Sequence, residues 1–211
     1  MGISLLRLTP QEFHDRLAAS TAGVLDSRLA ASLYAHYLEL ARWNPRLSLI
    51  GPGTAVELVE RHYGESLAAL PLLPPEPGRL LDLGSGAGFP GWVLAAARPD
   101  WRVTLVEPHG RKATFLRTAA RRAGVAVQVV DARVGAALPE GLPTDLDRIT
   151  VRALKLKPRE LEPLAERLRA GGEVLFWAGR DDPPVPEGWR RVREQPLPGR
   201  TRRVLAYRPR A

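Results

Sequence analysis

Residues 79–91 read RLLDLGSGAGFPG, and the fold turns on this stretch. Leu80, Leu81 and Leu83 flank Asp82 in a short apolar run of the kind that forms a buried strand. Gly84, Gly86 and Gly88 follow at alternating positions, after which Pro90 and the apolar run 92–97 open a helix. Glycines permit a tight strand-to-helix turn and let a ligand come close to the backbone. The helix start adds unpaired N–H groups and the positive end of its dipole. Such a turn suits a nucleotide-like ligand without specifying which.

Two cofactors compete for the loop, NAD and S-adenosylmethionine. Asp82 stands two residues before Gly84, inside the apolar strand. A carboxylate there suits a cationic group such as an amino-acid ammonium and is poorly placed beside a pyrophosphate. The dinucleotide fingerprint GxGxxG needs glycine at position 89, where this chain has Phe89. The run DLGSGAGF therefore leans toward S-adenosylmethionine, with Asp82, Gly84, Ser85, Gly86 and Gly88 as the contacting turn. The bland alternative is an ordinary tight βα turn.

A second strand over 103–106 ends at Glu107, 23 residues beyond Gly84. That is the spacing at which an acid meets ribose hydroxyls in nucleotide-binding βαβ units, and it does not separate the two cofactors. A third strand over 125–130 ends at Asp131, placed for an adenine amino group, with Ala132 or a backbone N–H near it for a ring nitrogen. A plain surface acid at Glu107 and a local turn cap at Asp131 are the competing readings.

Upstream, Thr9-Pro10 with Glu12 signals a capped helix start. A second helix is expected over 27–43, ended by Asn44-Pro45, and a third capped by Thr54 with Glu57 as the capping-box acid and Val56, Val59, His62 and Tyr63 along it. PLLPPEPG at 71–78 is a rigid connector. Downstream, a strand over 146–151, a helix over 158–169, a strand over 173–177 and a terminal antiparallel hairpin over 191–194 and 203–207 complete the rhythm. The expected architecture is α/β: a doubly wound, seven-stranded, Rossmann-like sheet of the class I methyltransferase type in residues 79–211. Residues 1–78 form an N-terminal helical extension packed on it.

A chain of 211 residues buries one substantial core. It has no cysteine, which excludes disulfides and Cys-based zinc sites, and His14, His36, His62 and His109 show no metal-ligand spacing. No metal is expected. No apolar run approaches ~20 residues and no leader pattern opens the chain, so a cytoplasmic protein without membrane attachment is expected. Charge is uneven: residues 1–78 carry net −2 and residues 79–211 net +10, with 28 Arg against 3 Lys. A basic sheet half points to a phosphate-rich partner such as nucleic acid, against a plain solubility role.

Four segments in order then carry a more specific resemblance: YLELARWNPRLSL at 37–49, HYGESLAALP at 62–71, DLGSGAGFPG at 82–91 and EPHGRKATFLR at 107–117. Together they resemble the bacterial small-subunit ribosomal RNA methyltransferase G family, also described as glucose-inhibited division protein B, over about residues 33–172. Ser48-Leu49-Ile50 stands where the family has Asn-Leu-Thr, and Glu65 where it has Asp. Arg133-Val134-Gly135 replaces its Arg-x-Glu, and Ala178-Gly179 its lysine–glycine pair. The chain reads as a divergent member.

The resemblance implies methyl transfer from S-adenosylmethionine to N7 of a guanine in the 530 loop of 16S rRNA, as naked RNA or in the small ribosomal subunit, by a monomer. Alternatives are a methyltransferase of a small molecule or protein and a non-catalytic RNA-binding module. N7 carries a free lone pair, so no general base is required. Arg111 and Lys112 after the second strand, Arg133 after the third and Arg152 after the fourth are the expected RNA contacts, with Arg152 foremost. Phe89 is expected to wall the methyl or base pocket and His62 to position a loop.

Overall fold

The computed structural model describes residues 2–21, 25–135, 138–197 and 202–210. Seven strands form a single sheet in the order β3-β2-β1-β4-β5-β7-β6. They are β1 (Arg79–Leu83), β2 (Arg102–Val106), β3 (Gln128–Val130), β4 (Leu146–Val151), β5 (Leu168–Ala178), β6 (Trp189–Pro196) and β7 (Arg203–Pro209). β1 pairs in parallel with β2 and with β4, β2 with β3, and β4 with β5. The closing hairpin is antiparallel throughout, β5 to β7 and β7 to β6. Chain order reverses at β1, between β2 and β4. In open parallel sheets such a switch point makes a crevice outside the carboxyl ends of the strands.

Both faces of the parallel strands are covered, which is why β4 is buried at every position and why its sequence does not alternate. One face carries Leu80, Leu105, Leu175, Val204 and Ala206 into a core shared with helices α1 (Pro10–Ser20), α2 (Ser27–Leu47), α4 (Gly91–Ala97) and α5 (Gly110–Ala123). The other carries Leu81, Leu83, Ile149, Val151, Val174 and Leu205 against Leu161 and Leu164 of helix α6 (Pro158–Ala165). Phe13 of α1 touches the rings of Tyr34, Tyr37 and Tyr63 at centroid distances of 5.6, 5.2 and 5.2 Å. The helical segment and the sheet thus share one continuous apolar core.

The sequence cues for α1 hold in detail: Thr9 and Glu12 form a reciprocal capping box and Pro10 occupies the first turn. Two helical expectations are corrected. α2 does not stop at Asn44 but runs two residues past Pro45 to Leu47, with Ser48 as its cap in the left-handed region, φ 48°. Proline removes one helical N–H, and the surroundings compensate. Buried Asn44 accepts from the Ile50 N–H at 2.7 Å and donates to the carbonyls of Ile3 and Ile50, while the Gly2 N–H donates to the Pro45 carbonyl.

The third helix is not a regular α-helix capped by Thr54. A 3₁₀ turn over Pro52–Thr54 is followed by a π-helical turn over Val59–Gly64, which continues into a short α turn, α3 (Glu65–Leu67). Val56 points to solvent, 79% exposed. The wider π turn brings Val59 and Tyr63 into the core and leaves His62 beside the sheet edge; such turns are frequent at functional sites. The third strand and the helix after β4 are also shorter than expected, at 128–130 and 158–165.

A shared core implies shared unfolding. Phe13→Ala leaves a cavity among three tyrosine rings and should destabilise the protein by about 3–5 kcal/mol. Denaturation followed by far-UV circular dichroism and by tryptophan fluorescence should shift as one transition. A separate early loss of helix would show that the N-terminal segment unfolds on its own.

Candidate active site

The glycine turn after β1 sits at the switch point and is knitted to its neighbours by main-chain bonds. The N–H groups of Gly84 and Ser85 both donate to the Val106 carbonyl, and that of Gly88 to the Ser85 carbonyl. Gly88 has φ 93°, and a Cβ there would lie 2.8 Å from Trp92 Cβ and 3.2 Å from His36 Nε2, so no other residue fits. Gly86, φ 54°, has open space where its Cβ would point, with only the Gly84 carbonyl at 3.8 Å. The Ser85 hydroxyl is buried and donates to the Asp82 carbonyl, so this residue presents its backbone rather than its side chain.

Glu107, 3% exposed, stands at the end of β2 as expected. Its Oε2 accepts the Gly86 N–H at 2.8 Å, and its Oε1 accepts from the backbone N–H and Nδ1 of His109. A carboxylate has about four acceptor positions, so one stays open here, and the exposed His109 ring can release another by turning away. Asp131 and Ala132 lie at the end of β3 on the same edge. Asp131 is exposed and forms no side-chain hydrogen bond among the described residues.

Asp82 lies beneath the turn, 1% exposed. Its Oδ1 accepts the Thr150 hydroxyl at 2.6 Å, while Oδ2 has no partner among the described residues and faces the start of α4 at Gly91. Burial pushes the Asp82 carboxyl up to about 6, against the lowering pull of the Thr150 hydrogen bond and the Arg152 charge.

Arg152 is not the exposed RNA contact that its position after β4 implied. Its side chain is 7% exposed, and the guanidinium donates to Glu65 Oε2 at 3.1 Å, to the carbonyls of Arg61 and His62, to the Ser66 hydroxyl and to His62 Nδ1. With its terminal amino groups engaged by protein acceptors and its side chain largely buried, it is poorly placed to hold an RNA phosphate. It anchors the π-helical segment to the sheet. The next residue, Ala153, holds φ 58°, a left-handed conformation that costs a non-glycine residue about 1–3 kcal/mol. This turn sends Leu154 over Gly84, to which it comes within 3.3 Å of the missing Cβ.

His62 stacks on Phe89 with centroids 5.0 Å apart and planes 29° from parallel. Burial, with the charges of Arg152, Arg61 and Arg202, pushes its pKa down to about 3, so the ring is neutral. Nδ1 accepts from Arg152, which places the proton on Nε2, facing the Thr54 hydroxyl at 3.2 Å. Phe89, 7% exposed, packs between His62, Tyr63 and His36. By contrast Arg111 and Arg133 are exposed and Lys112 half-buried, and none of the three has an ion-pair or hydrogen-bond partner for its side chain among the described residues.

Sequence reading missed His36, Tyr63, Glu65, Thr150 and Trp177. His36 is fully buried. Its Nδ1 meets the Tyr63 hydroxyl at 2.7 Å and its Nε2 the Ala87 carbonyl at 3.0 Å, so it fixes the glycine turn from below. Burial pushes its pKa down to about 3. Trp177 Nε1 donates to the Glu65 carbonyl. The only signal for any of them was an ionisable or polar residue inside an apolar helical stripe, as at His36 beside Tyr37. Beside the turn, a cavity of about 480 Å³ at the carboxyl ends of β4 and β5 is lined chiefly by Leu154, Leu156, Phe176, Trp177, Pro183 and Pro184. Among the described residues no group of three or more His, Asp or Glu could hold a metal, and no helix is long and apolar enough to cross a membrane.

Known proteins of this architecture bear the fold out. TrmN from Thermus thermophilus superposes with a TM-score of 0.56 at 21% identity, over 70% of this chain and 48% of that one. A mutant of MtNAS crystallised with S-adenosylmethionine superposes with a TM-score of 0.59 at 16% identity, over 95% and 90%. At the sequence level the similarity is far closer. The ribosomal RNA small subunit methyltransferase G of Paramagnetospirillum magneticum is 40% identical over 172 residues, 81% of this chain and 78% of the relative. That of Methylorubrum extorquens is 41% identical over 155 residues, 72% of each chain. The profile of the rRNA small subunit methyltransferase G family matches residues 30–183, from within α2 through the glycine turn, Glu107 and the buried Arg152 to the rim of the cavity, and the chain belongs to that family.

Proposed function

We propose that this protein transfers the methyl group of S-adenosylmethionine to N7 of a guanine in small-subunit ribosomal RNA, the 530 loop of 16S rRNA being the expected target. Family membership supports the substrate class. The observation that carries the geometry is the largely apolar cavity bordering the glycine turn, which Leu154 joins to Gly84. Its volume, about 480 Å³, lies in the range of small-molecule sites and accommodates a base withdrawn from its stack.

The donor set fits S-adenosylmethionine. Gly86 leaves a cradle that a side chain would fill, Glu107 keeps an open acceptor position for a ribose hydroxyl, and Asp82 keeps an unpaired buried oxygen that a cation above the turn would complement. Asp131 and Ala132 stand free for the adenine edge. When bound, the cofactor supplies an electrophilic methyl group on a sulfonium. The chain's part is to hold the acceptor base in line with it and to keep water out. No residue needs to remove a proton, because N7 carries none, and neutral His62 and buried Arg152 serve this by holding Phe89 and the loop in place. Arg111, Lys112 and Arg133 are the exposed or half-exposed cations suited to RNA phosphates. The proposed enzyme is a monomer acting in the cytoplasm, the location that a ribosomal RNA substrate implies.

Incubation with labelled S-adenosylmethionine and small subunits lacking the modification should label one guanine at N7, read by borohydride–aniline strand scission. Label appearing in protein or small molecules and none in RNA would overturn the assignment.

Asp82 gives a second test with a defined sign. Its folded-state pKa is raised from 3.8 to about 6, so the folded chain holds this proton more tightly than the unfolded one. Stability is therefore lost as pH rises through that window, and the loss is complete above about 6. Asp82→Asn removes the titration. Relative to wild type, the variant should gain on the order of 2–3 kcal/mol between pH 3.5 and pH 7.5 in urea unfolding of the cofactor-free protein. Its affinity for S-adenosylmethionine should fall by roughly tenfold or more in calorimetry, as expected for one lost charge-assisted contact. Unchanged affinity would remove Asp82 from the cofactor site.

A further inference from the structure

Four arginines line one groove between α2 and α5. Arg42 and Arg46 stand one turn apart on α2, and Arg111 and Arg122 on the facing side of α5. The groove encloses about 490 Å³, with Trp43 and Leu47 as apolar lining and Glu39 as its acid. Glu39 is itself buried and spent: Trp43 Nε1 donates to it at 3.0 Å, and Arg122 Nε and Arg42 NH1 lie 3.1 and 3.8 Å from it. Arg46 and Arg111 have no ion-pair or hydrogen-bond partner for their side chains among the described residues. Four guanidinium groups against one carboxylate leave the groove at net +3.

The two helices run antiparallel, since Ser32 bonds to Ala123, Glu39 pairs with Arg122 and Trp43 packs on Phe115. Arg46 and Arg111 therefore share one end. Arg111 lies in the first turn of α5, four residues after Glu107, so that end opens at the carboxyl edge of the sheet beside the glycine turn. From Arg111 to Arg122 the α5 wall is about 16 Å long at 1.5 Å per residue.

We propose that this groove is a track for the phosphodiester backbone of RNA, holding the strand that leads to the methylated guanine. The inference rests on the RNA substrate proposed above. Guanidinium groups bind phosphate through paired N–H donors, and a row of them along a groove matches a polyanion. An acidic protein segment has similar charge, but the groove leads to the edge where the substrate base must enter, which favours RNA.

The test compares wild type, the double variant Arg46→Gln/Arg111→Gln and a control, Arg190→Gln, whose exposed side chain stands unpartnered on the edge strand β6. Binding to unmodified small subunits is measured over a salt series, and S-adenosylmethionine binding by calorimetry checks the fold. The double variant should lose RNA affinity by roughly tenfold or more while keeping cofactor affinity. Its slope of log affinity against log salt should become shallower by about 1.5, two phosphate contacts at ~0.7–0.9 each. The control should stay within about twofold of wild type. If wild type methylates RNA but the double variant keeps its affinity and slope, or loses no more than the control, the track is wrong and the proposed function stands. If wild type neither binds nor methylates RNA, both fall.

Discussion

The carboxylate of Glu65 and the guanidinium of Arg152 meet at 3.1 Å with both side chains under one tenth exposed, and the active-site edge is organised around this contact. It joins the carboxyl end of β4 to the segment that follows the π-helical turn. Arg202 binds the other oxygen of Glu65 at 3.0 Å, and Trp177 of β5 donates to its carbonyl, so three strands converge on one acid. Removing one member of a buried pair leaves the other without compensation, typically about 3–5 kcal/mol. Burial, helped by the positive charge of Arg152, Arg61 and Arg202, keeps His62 neutral. Neutral His62 then accepts from Arg152 and stacks on Phe89, which belongs to the glycine turn. A buried charge thus fixes the orientation of a loop it does not touch.

A second polar layer lies beneath the same loop. His36 spans from the Tyr63 hydroxyl to the Ala87 carbonyl, and Thr150 holds one oxygen of Asp82. Each of these groups loses hydration on burial, and most recover a hydrogen bond. Asp82 Oδ2 does not. An unpaired buried carboxyl oxygen is a local instability, and under the proposed function a cofactor cation would relieve it, so that energy withheld from folding would become available to binding.

What was legible in the sequence is what is decided locally. The Thr9–Glu12 capping box, the buried run of β4 and the glycine turn with Glu107 at its far side follow from neighbouring residues or a short fixed spacing. The failures are long-range. Pro45 stays inside α2 because Asn44 and Gly2 supply bonds from other segments. The turn at 59–64 is π-helical with Val59 and Tyr63 buried, and no local residue pattern announces the extra width. Arg152 was read as a free cation because nothing near it in sequence announces Glu65, 87 positions away.

Charge shows the same limit most clearly. The surplus of arginine in residues 79–211 reads as a nucleic-acid face, yet much of it is structural. Arg148, Arg193 and Arg208 converge on buried Glu173, and Arg98 ties together the carbonyls of Pro74, Pro75 and Glu76. Arginines that donate to protein carbonyls and buried acids add to net charge while part of their donor capacity is spent inside the fold. Meanwhile α2, in the half with net negative charge, contributes Arg42 and Arg46 to a basic groove that opens toward the carboxyl edge of the sheet. Capacity for a polyanion is therefore set by which guanidinium groups the fold leaves unspent, a property of the packed structure that no count along the chain contains.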